Sequence, residues 1–178
     1  MQKILSPARI AFFGAIAIIT AATTTQVTSP FGPWERVSDQ PIITPQGNGF
    51  ESAGTFNPAV VKYDGNFVML YRAQDSHGKS SLGYATSHDG VHFVRQSKPV
   101  MVGEAPYEKG GGVEDPRLVK IGNTFYLTYT GYNNEGGQGL HSSGPIHGDA
   151  QLCLAISADL IHWKRHLSLI HISEPTRP

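Results

Sequence analysis

The chain has 178 residues, and its 14 Lys+Arg balance 14 Asp+Glu, so the formal net charge is zero. Charged residues make up only 16% of it, against roughly 25% in an average soluble domain, and a neutral chain with no basic block lacks the electrostatic footprint of a nucleic-acid binder. The single cysteine excludes an intramolecular disulfide and a cysteine-based zinc site, while 20 Gly and 12 Pro foretell many turns.

Residues 1–26 read as a secretory signal. Lys3 and Arg9 precede or open the apolar run from Ile10 to Ile19, and small or hydroxylated residues follow from Thr20 to Thr25. That is the order of a basic segment, an apolar segment and a cleavage zone. An uncleaved anchor is the alternative, but a spanning helix needs about 20 apolar residues, and this run is about half that. The expectation is export to the periplasm or the medium, with no stable membrane span after cleavage. Residues 27–49 form a lead-in to the folded part.

From there the chain repeats itself. Asn57-Pro58-Ala59-Val60-Val61-Lys62, a turn at Asp64-Gly65-Asn66 and the strand Phe67 to Arg72 can be laid on a second stretch. That stretch is Asp115-Pro116-Arg117-Leu118-Val119-Lys120, a turn at Gly122-Asn123 and the strand Phe125 to Thr130. Each begins on an Asx-Pro pair and reads as a β-hairpin, an alternating strand on either side of a glycine turn. The match continues downstream, where Leu82 to Phe93 aligns with Leu152 to Trp163. The second copy carries an inserted loop, from Asn133 to Gly148, rich in Gly, Ser and His.

Four short antiparallel strands repeating at a period above 50 residues are the pattern of a β-propeller blade. The expected fold class is therefore all-β, with residues 50–166 forming about the first two blades of a propeller. A closed ring of five such blades needs roughly 290–350 residues, and two blades leave open sheet edges. Residues 167–178 break the strand pattern and resemble the in-frame translation of a sequencing adapter, so the natural chain is expected to continue differently beyond about residue 166.

In a propeller the innermost strand of each blade lines a central channel, and its first residues face one mouth. The repeat puts Asn57-Pro58 and Glu114-Asp115-Pro116-Arg117 at that place. Spacing alone leaves two readings open. A carboxylate beside a cation at a channel mouth suits proton transfer to a leaving oxygen; the same residues could instead cap a turn with an ion pair.

The run Gly111-Gly112-Val113-Glu114-Asp115-Pro116-Arg117-Leu118-Val119-Lys120-Ile121, followed by Phe125-Tyr126-Leu127-Thr128-Tyr129-Thr130, closely resembles glycoside hydrolase family 130. Phe56-Asn57-Pro58, Tyr71-Arg72-Ala73-Gln74-Asp75 and the stretch from Ser80 to Gly90 match the family's first blade. The resemblance implies a five-bladed propeller that cleaves β-mannosides with inversion at the anomeric carbon, as a hydrolase or as a phosphorylase. It implies that Asp115 is the catalytic proton donor, acting in the phosphorylases through a substrate hydroxyl. It further implies that Asn57, Arg72, Asp75, Glu114 and Arg117 line the sugar site, Arg72 and Asp75 by charge-assisted hydrogen bonds to hydroxyls. The alternative for that last pair is a salt bridge holding the strand end.

Hydrolysis is the expected chemistry, since a sugar phosphate made outside the cytoplasm is easily lost. Phosphorolysis with inorganic phosphate is the alternative, and a non-catalytic carbohydrate-binding propeller is the second. The expected partner is a β-mannoside oligosaccharide, with no cofactor and no metal. His141 and His147 in the inserted loop fit no common metal spacing and read as a substrate-side loop, with Tyr107, Glu108 and Lys109 on the same rim. Cys153 reads as a buried small hydrophobe, and Phe93 and Trp163 as equivalent packing aromatics.

Overall fold

A computed structural model describes residues 32–134 and 149–166. The signal-like residues 1–26, most of the inserted loop with His141 and His147, and the adapter-like residues 167–178 lie outside the described residues. The chain divides into Met1–Glu35 and Arg36–Pro178, and everything below concerns the second of these. Among the described residues no helix is long and apolar enough to cross a membrane.

The strands come in two sets of four. β1 (Gly54–Tyr63), β2 (Asn66–Gln74), β3 (Ser80–Ser87) and β4 (Val94–Arg95) pair antiparallel in chain order. After a single 3₁₀ turn, Pro106–Glu108, β5 (Gly110–Ile121), β6 (Thr124–Asn133), β7 (Asp149–Ser157) and β8 (Lys164–His166) do the same. The all-β class and the repeat expected from the sequence are both present. One parallel bridge, Ser80 to Gly112, joins the two sheets into one hydrogen-bonded network.

Turn chemistry sets the hairpins. Asp64 and Gly65 both take left-handed φ values, 48° and 74°, as a two-residue loop between right-twisted strands demands. In the second hairpin Gly122 (φ 59°) opens the loop. A second turn is also built twice. Ser87 Oγ accepts from the N–H groups of Asp89 (3.2 Å) and Gly90 (2.9 Å), while Asp89 Oδ1 accepts from those of Val91 (2.9 Å) and His92 (2.8 Å). Ser157 and Asp159 repeat this with Asp159, Leu160, Ile161 and His162. The left-handed position is Gly90 in one copy and Leu160 (φ 68°) in the other. A left-handed leucine costs about 1–2 kcal/mol, but Leu160 is fully buried against Val68 and Phe125, and burying such a side chain returns about 1.5–3 kcal/mol.

The core runs between the two sheets. Leu70 and Leu82 of the first pack with Val113, Leu127, Tyr129, Cys153 and Ala155 of the second. Cys153 is buried as expected; Phe93 packs against Met69, Tyr71, Ala73 and Ala85 of the first sheet, and Trp163 against the core between the two.

Each sheet is also bolted by a buried carboxylate. Glu51 accepts from Tyr71 Oη on the second strand (2.7 Å), from Arg95 on the fourth (3.0 Å) and from Gln46 Nε2 (2.8 Å). Glu108, fully buried, accepts from Tyr129 Oη (2.7 Å), Arg165 Nε (3.2 Å) and the backbone N–H groups of Glu104 (2.9 Å) and Ala105 (3.0 Å). Glu, Tyr and Arg recur at matching places of the two repeats. The sequence reading that placed Glu108 on the rim of the substrate-side loop is corrected here: four donors converge on it in the interior, so it serves the scaffold.

Burial alone would push the Glu108 carboxyl up, but the two N–H groups, Tyr129 and Arg165 outweigh it, and it sits below the usual carboxylate range. The contribution of a group with a depressed folded pKa is complete above its unfolded pKa and is lost as pH falls through the folded one. Glu108→Gln is therefore expected to lose stability against the unsubstituted protein at pH 7, and the gap between their urea midpoints should shrink as pH falls toward 3. A gap of equal size at both pH values would mean that packing, not charge, sets the value of the bolt. Tyr129→Phe should cost about 1–3 kcal/mol at neutral pH.

Candidate active site

The site grows from two matching faults in the sheets. Ladder register breaks between Phe56 and Ala59 in β1, and between Glu114 and Arg117 in β5. Pro58 and Pro116 have no N–H to give the ladder, and the residues before them, Asn57 (φ 45°) and Asp115 (φ 49°), are left-handed. Asn and Asp tolerate that region better than other residues with a Cβ. A bulge re-aims the side chains next to it, and these two aim at each other. Asn57 Nδ2 donates to Asp115 Oδ1, across 58 residues of sequence.

Arg72, opposite Phe56 on β2, draws the next group in. Its guanidinium lies 2.8 Å from Glu114 Oε1 and 3.8 Å from Asp115 Oδ1, stacks 5.3 Å over the Phe56 ring, and donates through Nε to Ser80 Oγ at 3.1 Å. Ser80 Oγ in turn donates to the same Glu114 oxygen at 2.9 Å. Burial raises the pKa of Glu114, Arg72 and Ser80 oppose the rise, and the neighbouring Asp115 adds to it. The net direction is upward.

The two adjacent acids thus have different surroundings. Glu114 is largely buried and held by a cation and a hydroxyl. Asp115 is about one-third exposed, with Oδ1 taken by Asn57, and among the described residues Oδ2 takes no hydrogen bond.

Of the residues proposed from sequence, Asn57, Arg72, Glu114 and Asp115 come together in one constellation. Arg117 is adjacent, but Nη1 donates to the backbone carbonyls of Asp115 (3.2 Å) and Pro116 (3.0 Å), tightening the bulge. It also lines an open groove of ≈ 400 Å³ with Asn57, Pro58, Ala59, Pro116 and Leu118. Asp75 lies in the β2–β3 turn, where Oδ1 accepts from the N–H groups of His77 and Lys79, both at 2.9 Å. The ion pairs of Arg72 are with Glu114 and, at longer range, Asp115. Ser80 escaped the sequence reading, because a lone serine carries no pattern. Among the described residues no group of three or more His, Cys, Asp or Glu could hold a metal ion.

The sequence model of glycoside hydrolase family 130, described as beta-1,4-mannooligosaccharide phosphorylase, matches residues 33–145. The chain is 40% identical over 139 residues to a 1,2-beta-oligomannan phosphorylase of Thermoanaerobacter sp. (strain X514), covering 74% of this chain and 43% of that protein. It is 39% identical over 157 residues to a beta-1,2-mannobiose phosphorylase of the same organism, covering 80% and 47%. The chain thus spans under half the length of the curated relatives it matches. A solved structure from work on glycoside hydrolases of this family that target beta-1,2 mannosidic linkages in Candida mannan is 35% identical, with a TM-score of 0.66, over 78% of this chain and 42% of that one.

The Asn57–Asp115 contact can be separated from the strain beside it. Asn57→Gly and Asn57→Ala both delete the donor to Asp115, but only alanine must hold a Cβ at φ 45°. Asn57→Ala is expected to be the less stable by about 1 kcal/mol, some 2–4 °C in Tm. Both should impair turnover equally if the contact matters to chemistry. A loss of turnover that tracked Tm would assign Asn57 to the backbone alone.

Proposed function

This chain belongs to glycoside hydrolase family 130, and from that premise we propose that the protein cleaves β-mannosides by phosphorolysis. The observation that carries phosphorolysis over hydrolysis is the likeness to two phosphorylases along 74% and 80% of the chain. The sequence alone favoured hydrolysis on the ground that an exported enzyme would lose its sugar phosphate; the relatives' chemistry outweighs that consideration. The order of residues 1–26 still supports export.

In this reading the proton on Asp115 Oδ2 passes, directly or through a substrate hydroxyl, to the glycosidic oxygen. The bond from the anomeric carbon to that oxygen breaks with the electron pair going to the leaving sugar. An oxygen of inorganic phosphate attacks the anomeric carbon from the opposite face, so a β-mannoside gives α-mannose 1-phosphate. Arg72 and Glu114, fixed against one another, present a charged rim for sugar hydroxyls, and Asn57 keeps the Asp115 carboxyl turned. An inverting hydrolase needs a second carboxylate, about 6.5–9.5 Å from the first, to activate water; phosphate is already an anion and needs no base. Here the neighbouring carboxylate, Glu114, is occupied by Arg72 and Ser80.

Hydrolysis is the second reading, favoured by the 35% identical structure from work on family hydrolases. One assay separates the two. With the protein produced at the full length of its gene, β-1,2- and β-1,4-mannobiose should release α-mannose 1-phosphate in phosphate buffer and nothing in phosphate-free buffer. Mannose released at equal rate in both would establish hydrolysis. Asp115→Asn should lower kcat by about 10²–10⁴-fold, and less for a substrate with an activated aryl leaving group, which hardly needs protonation. Near-normal turnover by this variant on natural mannosides would make Asp115 a turn residue.

A further inference from the structure

The repeat separates scaffold from site. The buried Glu, its Tyr and its Arg occur in both sheets, as do the Ser-Asp-His turn and the Asx-Pro bulge. Arg72, Glu114 and Ser80 do not recur. At their places in the other sheet stand Thr130, which faces Glu114 in the register as Arg72 faces Phe56, then Phe56 itself, and Ala150. The fold therefore does not require a hydroxyl at position 80, as Ala150 occupies the matching place on β7.

Ser80 is nevertheless fully buried and uses its hydroxyl in both directions, accepting from Arg72 Nε and donating to Glu114 Oε1. Its backbone meanwhile forms the bridge between the sheets, to Gly112. That approach is tight enough that a Cβ on Gly112 (φ 95°) would fall 2.0 Å from the Ser80 carbonyl oxygen. Arg72 and Ser80 come from the first sheet and Glu114 from the second, so the hydroxyl spans the seam at the point where the site is assembled.

We propose that Ser80 is a positioning residue of the sugar site, fixing Arg72 and Glu114 of opposite sheets in one arrangement. Its effect on turnover rests on the mannoside-cleaving reading above; its effect on Glu114 does not. A hydrogen bond to a charged group carries about a tenfold effect or more.

The test compares Ser80→Ala, Ser80→Thr and the neighbouring control Ser81→Ala, each at the full length of the gene. The first readout is the titration midpoint of the Glu114 carboxyl carbon by NMR. Ser80→Ala removes a donor to the ionised form, so the midpoint should move up, while Ser80→Thr and Ser81→Ala leave it in place. The second readout is kinetics with mannobiose and phosphate. Ser80→Ala should raise KM about tenfold or more with a smaller change in kcat, and Ser80→Thr should restore it. An unchanged Glu114 midpoint in Ser80→Ala overturns the proposal, as does an equal KM rise in Ser81→Ala. If the unsubstituted protein cleaves no mannoside, the functional reading fails, and the titration still decides whether Ser80 governs Glu114.

Discussion

A carboxylate taken out of water is stable only if its lone pairs are filled by good donors, and this chain does so twice at the root of its sheets. Glu51 and Glu108 each collect a tyrosine hydroxyl from the second strand and an arginine from the fourth. Removing one partner from such a cluster is costly because the remaining charge stays buried. The geometry is thus closely specified: the segment before the first strand, the second strand and the outermost strand meet at one atom group. Short strands such as β4 and β8, of two and three residues, have little ladder of their own, and Arg95 and Arg165 tie them to the interior.

The consequences run from there to the site. Glu108 ends the 3₁₀ turn that feeds Gly110, Gly111 and Gly112 into β5. The close approach of Gly112 to Ser80 sets how the two sheets meet, and two residues further along β5 come Glu114 and Asp115. The bolt and the Glu114–Asp115 pair are thus joined by one short stretch of β5 that passes the seam between the sheets. Exposed polar groups elsewhere, such as the Asp89–His92 and Asp159–His162 turns, have no such path and serve their own loops.

The parts of this design that are local in sequence were legible, and those that are tertiary were not. Hairpins followed from Asp64-Gly65 and Gly122 between alternating strands, and the repeat followed from aligning the two Asx-Pro starts. The meeting of Arg72 with Asp115 followed from family resemblance. Glu108 was misplaced because its neighbours suggest a loop: a glycine run follows it, and its partners Tyr129 and Arg165 lie 21 and 57 residues away. A signal did exist, since laying Glu51, Tyr71 and Arg95 on Glu108, Tyr129 and Arg165 exposes a repeated trio that solvent-facing residues have no reason to keep. Asp75 came from the family resemblance alone; what the structure adds is that its Oδ1 also holds a turn, accepting from the N–H groups of His77 and Lys79.

Duplication also explains how a strained backbone comes to serve chemistry. Each sheet puts a left-handed Asx before a proline at the same bulge, and the packing of the sheets brings the two side chains into contact. Had both been aspartate, two carboxylates at that separation could not both ionise, and one proton would be shared between them. With asparagine at 57, the symmetric scaffold holds an asymmetric pair: an amide whose Nδ2 donates to Oδ1, and a carboxylate whose other oxygen takes no hydrogen bond among the described residues. The difference between the two sheets, one amide for one acid, leaves a single carboxylate at a repeated structural fault, held by its symmetric counterpart.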